Sequence, residues 1–283
     1  MSKVAVVTDS TGYIPKELVE QYGIIVVPLY VIWDGDELKD DVDITPTAFY
    51  NRLQNSKTMP STSQPTPADF QEVFARLHGE GYEILNVLIS SGLSGTVASA
   101  EQARQNMPEA NIEIFDSRST AMELGFCTLA AARAAAEGKS LEACLAAAKK
   151  ARGNSGLIFA VDTLEFLHRG GRIGGASRYL GTLLRFKPLL TITDDGKIDA
   201  LEKVRTKKKA QKRVSDIVVE RLQGKSGIRL ATLNANASEE ARVLLEQTAA
   251  RLDNVVETVF SEVSPVIGTH VGPGTVGLAY THD

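Results

Sequence analysis

Residues 90–96, SSGLSGT, place four hydroxyl side chains and two glycines within seven positions. Residues 82–89, YEILNVLI, are apolar enough for a buried strand and residues 97–107 have a helical composition, so the stretch reads as a strand-to-helix turn. Such a turn suits an anion. Backbone N–H groups at a helix N-terminus lack intrahelical partners, the helix dipole favours negative charge there, and Gly92 and Gly95 permit close backbone approach. Ser90, Ser91, Ser94 and Thr96 add neutral donors. Three other places carry complementary chemistry. Gly170, Gly171, Gly174 and Gly175 surround Arg172, and a guanidinium held among glycines suits a phosphate. Residues 59–65, MPSTSQP, combine two prolines with Ser61, Thr62 and Ser63, which predicts a loop whose hydroxyls are exposed or turned onto a ligand. His270, in SPVIGTHVGPG, falls in a glycine-rich turn from which it can return to a cleft.

The elements that must position these residues follow from periodicity and punctuation. Residues 3–7 form a first strand ending in TDST, with Asp9 and Ser10 in the turn; a helix with Pro15 in an early position runs to Gly23. Residues 24–33 read as a strand, Asp34-Gly35 as a turn, and Thr45-Pro46 and Thr66-Pro67 as matching helix starts. After the central turn come a strand at 111–115, the loop DSRST at 116–120, and alanine-rich helices at 122–137 and 141–151. Alternating strands and helices over residues 3–150 predict a parallel sheet, on which ligands bind beyond the carboxyl ends of the strands. Three such ends carry hydroxyl-rich loops: TDST, SSGLSGT and DSRST.

The pattern then changes. A strand at 157–161, a short helix capped by Asp162, an amphipathic helix at 176–185, a hairpin over Asp195-Gly196, a basic helix to about Leu222, and further strands at 228–233 and 255–260 flanking a helix at 238–252 describe a mixed α/β unit. The expected fold is α/β with two domains. A Rossmann-like parallel-sheet domain spans 1–153, a mixed α/β domain spans 154–283, and ligand lies between them.

Composition excludes several classes. Hydrophobic residues at 43% and charged residues at 23% are ordinary for a globular chain, and no stretch reaches the roughly 18 apolar residues of a membrane span. The first residues read as a strand rather than a signal peptide, so a cytoplasmic location is expected. Cys127 and Cys144 lie in alanine-rich helical patterns, which suits buried thiols better than a disulfide or a metal site. Residues 169–213 hold 13 Lys or Arg against 4 Asp or Glu, whereas the rest of the chain holds 18 against 31. That segment lacks interleaved aromatics, so an acidic protein or phosphorylated ligand fits it better than nucleic acid.

Two enzymatic alternatives compete. In one, Ser94 is a hydrolase nucleophile with His270 as base and Asp9 as acid; the spacing differs from the G-x-S-x-G elbow, because Gly95 directly follows Ser94. In the other, the first unit is a phosphate- or nucleotide-binding enzyme, but neither dinucleotide nor P-loop glycine pattern follows the first strand.

Taken together, VVTDST, the TSQP of residues 62–65, SSGLSGT, HRGGRIGG at 168–175 and SPVIGTHVGPG resemble the DegV family over the whole chain, residues 3–281. The resemblance implies a two-domain α/β fold that buries one long-chain fatty acid. It further implies a bacterial, non-catalytic lipid-binding subunit that presents the carboxylate to an ATP-binding fatty acid kinase subunit and carries away the acyl phosphate. Neither cofactor nor metal is implied; an acyltransferase of phospholipid synthesis and transient membrane contact are. Carried over by motif, the carboxylate ligands fall on Thr62 and Ser94, and Arg172, Arg205 and His270 on positions tied to the acyl phosphate and the partner. Ser63, Ser91, Gly95, Thr96, Asp9 and Ser10 are supporting candidates. Neutral donors suit a fatty carboxylate, since a buried fixed cation beside the tail would itself need pairing. Expected tail-lining residues are Leu157, Ile158, Phe159, Leu164, Phe166, Leu167, Leu180, Leu183, Leu184 and Phe186.

Overall fold

The computed structural model describes residues 3–181 and 186–283. β1 (Lys3–Asp9) leads through a single 3-10 turn into α1 (Lys16–Tyr22), which Gly23 ends in the left-handed conformation, φ 61°. The strand expected at 24–33 divides at Pro28, which cannot donate a ladder hydrogen bond, into β2 (Ile25–Val27) and β3 (Tyr30–Trp33). β3 turns back into β4 (Asp36–Lys39) over Asp34 and Gly35, at φ 54° and 90°, as a two-residue hairpin loop requires. Both Thr-Pro pairs start helices: Thr45 caps α2 (Pro46–Asn55), and Thr66 with Asp69 forms a capping box on α3 (Pro67–Gly79). Between them, β5 (Ser61–Ser63) is a short edge strand rather than a loop.

The chain continues through β6 (Tyr82–Leu88), α4 (Thr96–Gln105), β7 (Ile112–Asp116), α5 (Ala121–Ala136) and α6 (Leu141–Gly153). Then follow β8 (Ser155–Ala160), α7 (Glu165–Arg169), β9 (Lys187–Ile192), β10 (Ile198–Val204), α8 (Lys207–Leu222), β11 (Ile228–Asn234), α9 (Ser238–Ala249), β12 (Val255–Val259), α10 (Pro265–Val271) and β13 (Val276–Thr281). Among the described residues these strands make three sheets. A parallel sheet has order β2-β1-β6-β7, a mixed one β10-β9-β8-β13-β11-β12, and a small antiparallel one β4-β3-β5.

Alternation along β6 shows how one sheet serves two cores. Ile84 and Leu88 face Phe70, Phe74 and Ala100 beneath α3 and α4, while Leu85 and Val87 face α5. α5 is buried around most of its circumference because it packs between the parallel and the mixed sheets. Its alanine-rich composition makes that possible. At Gly125 a β-carbon would sit 2.9 Å from the Gly12 carbonyl oxygen, so even one methyl group would crowd the contact. Fully burying Leu124 and Leu129 contributes about 1.5–3 kcal/mol each to holding the layers together. Both cysteines are buried and free.

Three local expectations are corrected. Residues 174–179 form a 3-10 helix in place of the expected start of an amphipathic α-helix, and residues 182–185 lie outside the described set. The segment is drawn onto β10: a β-carbon on Gly174 would meet the Ile198 carbonyl, and Arg178 binds Asp199 and the Ala200 carbonyl. Asp162 does not cap α7; it pairs with Lys187 at 2.8 Å, and the Thr163 hydroxyl accepts from the Glu165 N–H instead. His270 lies in the last turn of α10, because Pro265 opens a helix there and the glycine-rich turn comes only at 272–274.

Candidate functional site

All but one of the loops that looked chemically active converge on one cavity; TDST is the exception. Its wall includes Thr62, Ser63 and Gln64 from β5 and the residues after it, Ile89, Leu93 and Ser94 from the central turn, and Thr120 at the start of α5. Leu157, Phe159, Ile192, Ile198 and Leu233 of the mixed sheet, Leu167, Arg172, and Val266, Ile267, His270 and Val271 of α10 complete it, with Leu29. Backbone pairing of Thr62 with Val31 fixes β5 against the rest of the small sheet. Across the cavity mouth the Thr62 hydroxyl lies 2.8 Å from His270 Nε2.

His270 is nearly buried, and burial, reinforced by the nearby Arg172 charge, pushes its imidazole down to about 4. At neutral pH the ring is therefore uncharged, and it can exchange hydrogen bonds with a hydroxyl without bringing a fixed cation into the cavity. Its Nδ1 is packed against Gly170, where a β-carbon would stand 2.2 Å away, so the ring's seat depends on that glycine. Arg172 is half-buried and bridges two elements: Nε donates to the Leu93 carbonyl at 3.0 Å and Nη1 to the Gly170 carbonyl at 2.7 Å. The Ser94 hydroxyl lies 2.8 Å from that of Thr96 and also accepts weakly from the Thr96 N–H, at 3.4 Å.

A second, outer pocket of about 260 Å³ shares Thr62, Arg172 and His270 with the inner cavity and adds Met59, Pro60, Phe166, Arg169 and Thr269. These three shared side chains thus form a polar partition between an apolar interior and the surface. The inner cavity is tight, with a volume of about 50 Å³.

The central turn is held differently from the expectation. The close approach its glycines allow is taken by protein: a β-carbon at Gly92 would lie 2.9 Å from the Gly196 carbonyl oxygen, and one at Gly95 would lie 3.1 Å from Gln64 Nε2. Ser90 is buried and donates to that same Gly196 carbonyl at 2.7 Å, while Ser91 faces outward and donates to Asp116. The neighbouring DSRST loop is clamped by Arg152, which donates to the Ser117 carbonyl at 2.6 Å and pairs with buried Glu123 at 3.1 Å.

Of the residues singled out by sequence, Thr62, Ser63, Ser94, Arg172 and His270 meet at the cavity, and Gly95 and Thr96 support Gln64 and Ser94. Ser91, Asp9, Ser10 and Arg205 do not. Asp9 and Ser10 face a separate cavity of about 460 Å³, where the Asp9 carboxylate is occupied by the Ile89 N–H and by Thr11. Arg205 is exposed between β10 and α8. The Ser94–His270–Asp9 hydrolase arrangement is not assembled, since His270 bonds Thr62 and Ser94 bonds Thr96.

Among the expected tail-lining residues, Leu157, Phe159 and Leu167 reach the cavity. Ile158 points to the opposite core, Leu164 packs in the main one, Phe166 lines the outer pocket, Leu180 is exposed, and Phe186 lies beside the Lys203 ammonium. Leu183 and Leu184 lie outside the described residues.

Sequence reasoning missed Gln64 and Thr120, although both belong to stretches flagged for their composition, and it missed Asp40 altogether. Asp40 is buried and receives the Ser10 hydroxyl at 2.6 Å, the Ser264 hydroxyl at 2.5 Å and the Val266 N–H at 3.1 Å, which fastens the N-terminus of α10, the helix that carries His270. Burial pushes its carboxyl up to about 7 against the pull of those donors.

Compared with known proteins, residues 3–283 match the model of a family described as "Uncharacterised protein, DegV family". A DegV domain-containing protein of Clostridium acetobutylicum is 39% identical over 283 residues, covering 98% of this chain and 97% of the relative. One from Clostridium perfringens is 36% identical over 284 residues, covering 99% of each. A DegV family protein from Thermus thermophilus, described by its fatty acid binding, superposes with a TM-score of 0.94 at 37% identity, covering 99% of this chain and 100% of that one. DegV of Bacillus subtilis, described as a fatty acid binding protein, does so with a TM-score of 0.91 at 33% identity over 100% of both.

Proposed function

Because this chain belongs to the DegV family, we propose that it binds one long-chain fatty acid, with the carboxylate at Thr62 and Ser94 and the tail in the apolar cavity lined by the mixed sheet and α10. The observation that carries this reading is the partition of Thr62, His270 and Arg172 between an apolar interior and an outer pocket. A carboxylate seated there meets hydroxyl donors from one side and is reachable from the other. The tail contributes about 0.8 kcal/mol per buried methylene, and the head needs only enough hydrogen bonds to offset its desolvation. Since the cavity of about 50 Å³ is far below the roughly 300–1,000 Å³ of ligand pockets in general, wall side chains swing outward as the chain enters.

The finer part of the proposal concerns hand-over. The chain supplies no phosphoryl-transfer chemistry of its own in this reading; a separate ATP-dependent kinase subunit phosphorylates the presented carboxylate at the outer pocket. Arg172 stabilises the acyl phosphate there, and Arg205 serves the partner surface.

Native mass spectrometry of the purified protein, followed by lipid extraction, tests the binding reading. A stoichiometric C14 to C18 fatty acid is expected. Thr62→Ala and Ser94→Ala should each weaken retention about tenfold, the loss of one hydrogen bond to a charged group. Arg172→Ala should retain lipid and lose phosphorylation by the partner. An empty protein that also takes up no added palmitate or oleate overturns the proposal.

A further inference from the structure

Thr120 is the odd hydroxyl of the cavity wall. Thr62 is paired with His270, Ser63 donates to the Gln64 carbonyl and Ser94 is paired with Thr96, whereas Thr120 Oγ1 is buried with no hydrogen-bond partner among the described residues. Thr120 is 6% exposed. It stands at the N-cap of α5, where a threonine hydroxyl ordinarily accepts from the first helical turn, yet it makes no capping bond. The loop presenting it is conformationally costly, with Arg118 at φ 49° and Ala121 at φ 52°, both non-glycine residues in the left-handed region.

Backbone hydrogen bonds locate Thr120 relative to the head of the site. Ser90 N–H donates at 2.8 Å to the Ser119 carbonyl, next to Thr120, and Ser94 N–H donates at 3.0 Å to the Ser90 carbonyl. Thr120 therefore lies beside the start of a single helical turn whose end is Ser94, about 5 Å further on. Ile89 and Leu93 line the wall along that turn. A carboxylate at Thr62 and Ser94 leaves Thr120 facing the first carbons of the tail. Against plain methylenes a buried donor stays unpaired, which is unfavourable; against an oxygen on the chain it is satisfied.

We infer that Thr120 makes the cavity selective for acyl chain chemistry, favouring a fatty acid that bears a hydroxyl oxygen within a few carbons of its carboxylate over the unsubstituted acid of equal length. A site built to hydrogen-bond a ligand hydroxyl rejects the analogue that lacks it, because its own polar group is then stranded. The inference rests on the fatty-acid reading above.

The test is a displacement titration of delipidated protein with palmitic acid and its 2-, 3- and 4-hydroxy derivatives, in wild type, Thr120→Val and Thr120→Ser. In wild type, one hydroxy isomer should bind about tenfold more tightly than palmitic acid. Thr120→Ser should keep that ranking, and the isosteric Thr120→Val should abolish it while binding palmitic acid at least as well as wild type, which a merely misfolded variant would not do. Wild type ranking palmitic acid first, or a preference that survives in Thr120→Val, overturns the assignment of Thr120 and leaves the fatty-acid reading standing. Failure of wild type to bind any of these acids overturns both.

Discussion

The two ends of α10 make opposite use of burial. At its N-terminus Asp40 is surrounded by three donors, from Ser10, Ser264 and Val266, and is pushed up to about 7. In its last turn His270 has, among the described residues, a single hydrogen-bond partner, Thr62, and is pushed down to about 4. The physical cause is the same, since removing water disfavours whichever form is charged. The numbers of partners differ, and that difference separates an anchor from a site. Asp40 is over-determined and holds the helix between the first and second halves of the chain. His270 is under-determined, with Nδ1 unpartnered among the described residues, so its hydrogen bonding can reorganise around a ligand.

Removing the anchor should have the largest effect. Asp40→Ala strands three donors and should cost about 2–4 kcal/mol in chemical denaturation, with loss of lipid retention as α10 loosens. Asp40→Asn separates charge from packing. A carboxyl raised from 3.8 to about 7 binds its proton more tightly in the folded state, so its contribution is fully present below pH 3.8 and is lost as pH rises through 7. The wild-type stability curve should therefore fall relative to that of Asp40→Asn across this window, by at most about 1.4 kcal/mol per pH unit. Parallel curves would remove Asp40 as a titrating anchor.

At the other end, Gly170→Ala places a methyl group where His270 Nδ1 sits and should cost about 1–3 kcal/mol as the ring is displaced. The sharper readout is the imidazole titration followed by NMR. A ring moved toward water should titrate nearer 6.5 than 4. Wild-type His270 loses stability as pH falls from 6.5 toward 4, because the unfolded state takes up the proton first, and the variant should lose that dependence. Gly153→Ala, at a helical position with open space around it, is the matched control and should stay within about 0.5 kcal/mol of wild type.

This contrast also marks what local sequence can carry. Gly23, Asp34-Gly35 and both Thr-Pro helix starts were legible because each is decided by the chemistry of two or three adjacent residues. β5 was not, because Ser61–Ser63 offers one β-branched residue between two serines, with Pro60 and Pro65 on either side, and becomes a strand only where β3 offers an edge. Asp40 sits in the charged run DELKDDVD and reads as solvated surface; nothing nearby in sequence announces that Ser264 and Val266 will bury it. Thr62 and His270 stand 208 residues apart, so motif resemblance could nominate each but only the tertiary fold could pair them. For the apolar wall the local signal is weaker still. Phe159 and Ile158 are neighbours of similar type, and strand alternation sends one to the cavity and the other to the opposite core.

The smallest effect expected is also the cleanest discriminator within the central turn. Ser91 and Ser94 are both partly or fully exposed serines three positions apart, and both hydrogen-bond another side chain. Ser91 faces outward to Asp116, whereas Ser94 lines the cavity. Ser91→Ala should change stability by no more than about 0.5 kcal/mol, since a solvent-facing hydrogen bond is readily replaced by water, and it should leave lipid retention at the wild-type level. Ser94→Ala, equally mild for the fold, should weaken retention of a fatty acid but not of the corresponding uncharged alcohol. Equal losses for Ser91→Ala and Ser94→Ala would mean that the turn acts through its backbone conformation alone, and the carboxylate would then have to be held by Thr62 and the N–H groups at the start of α4.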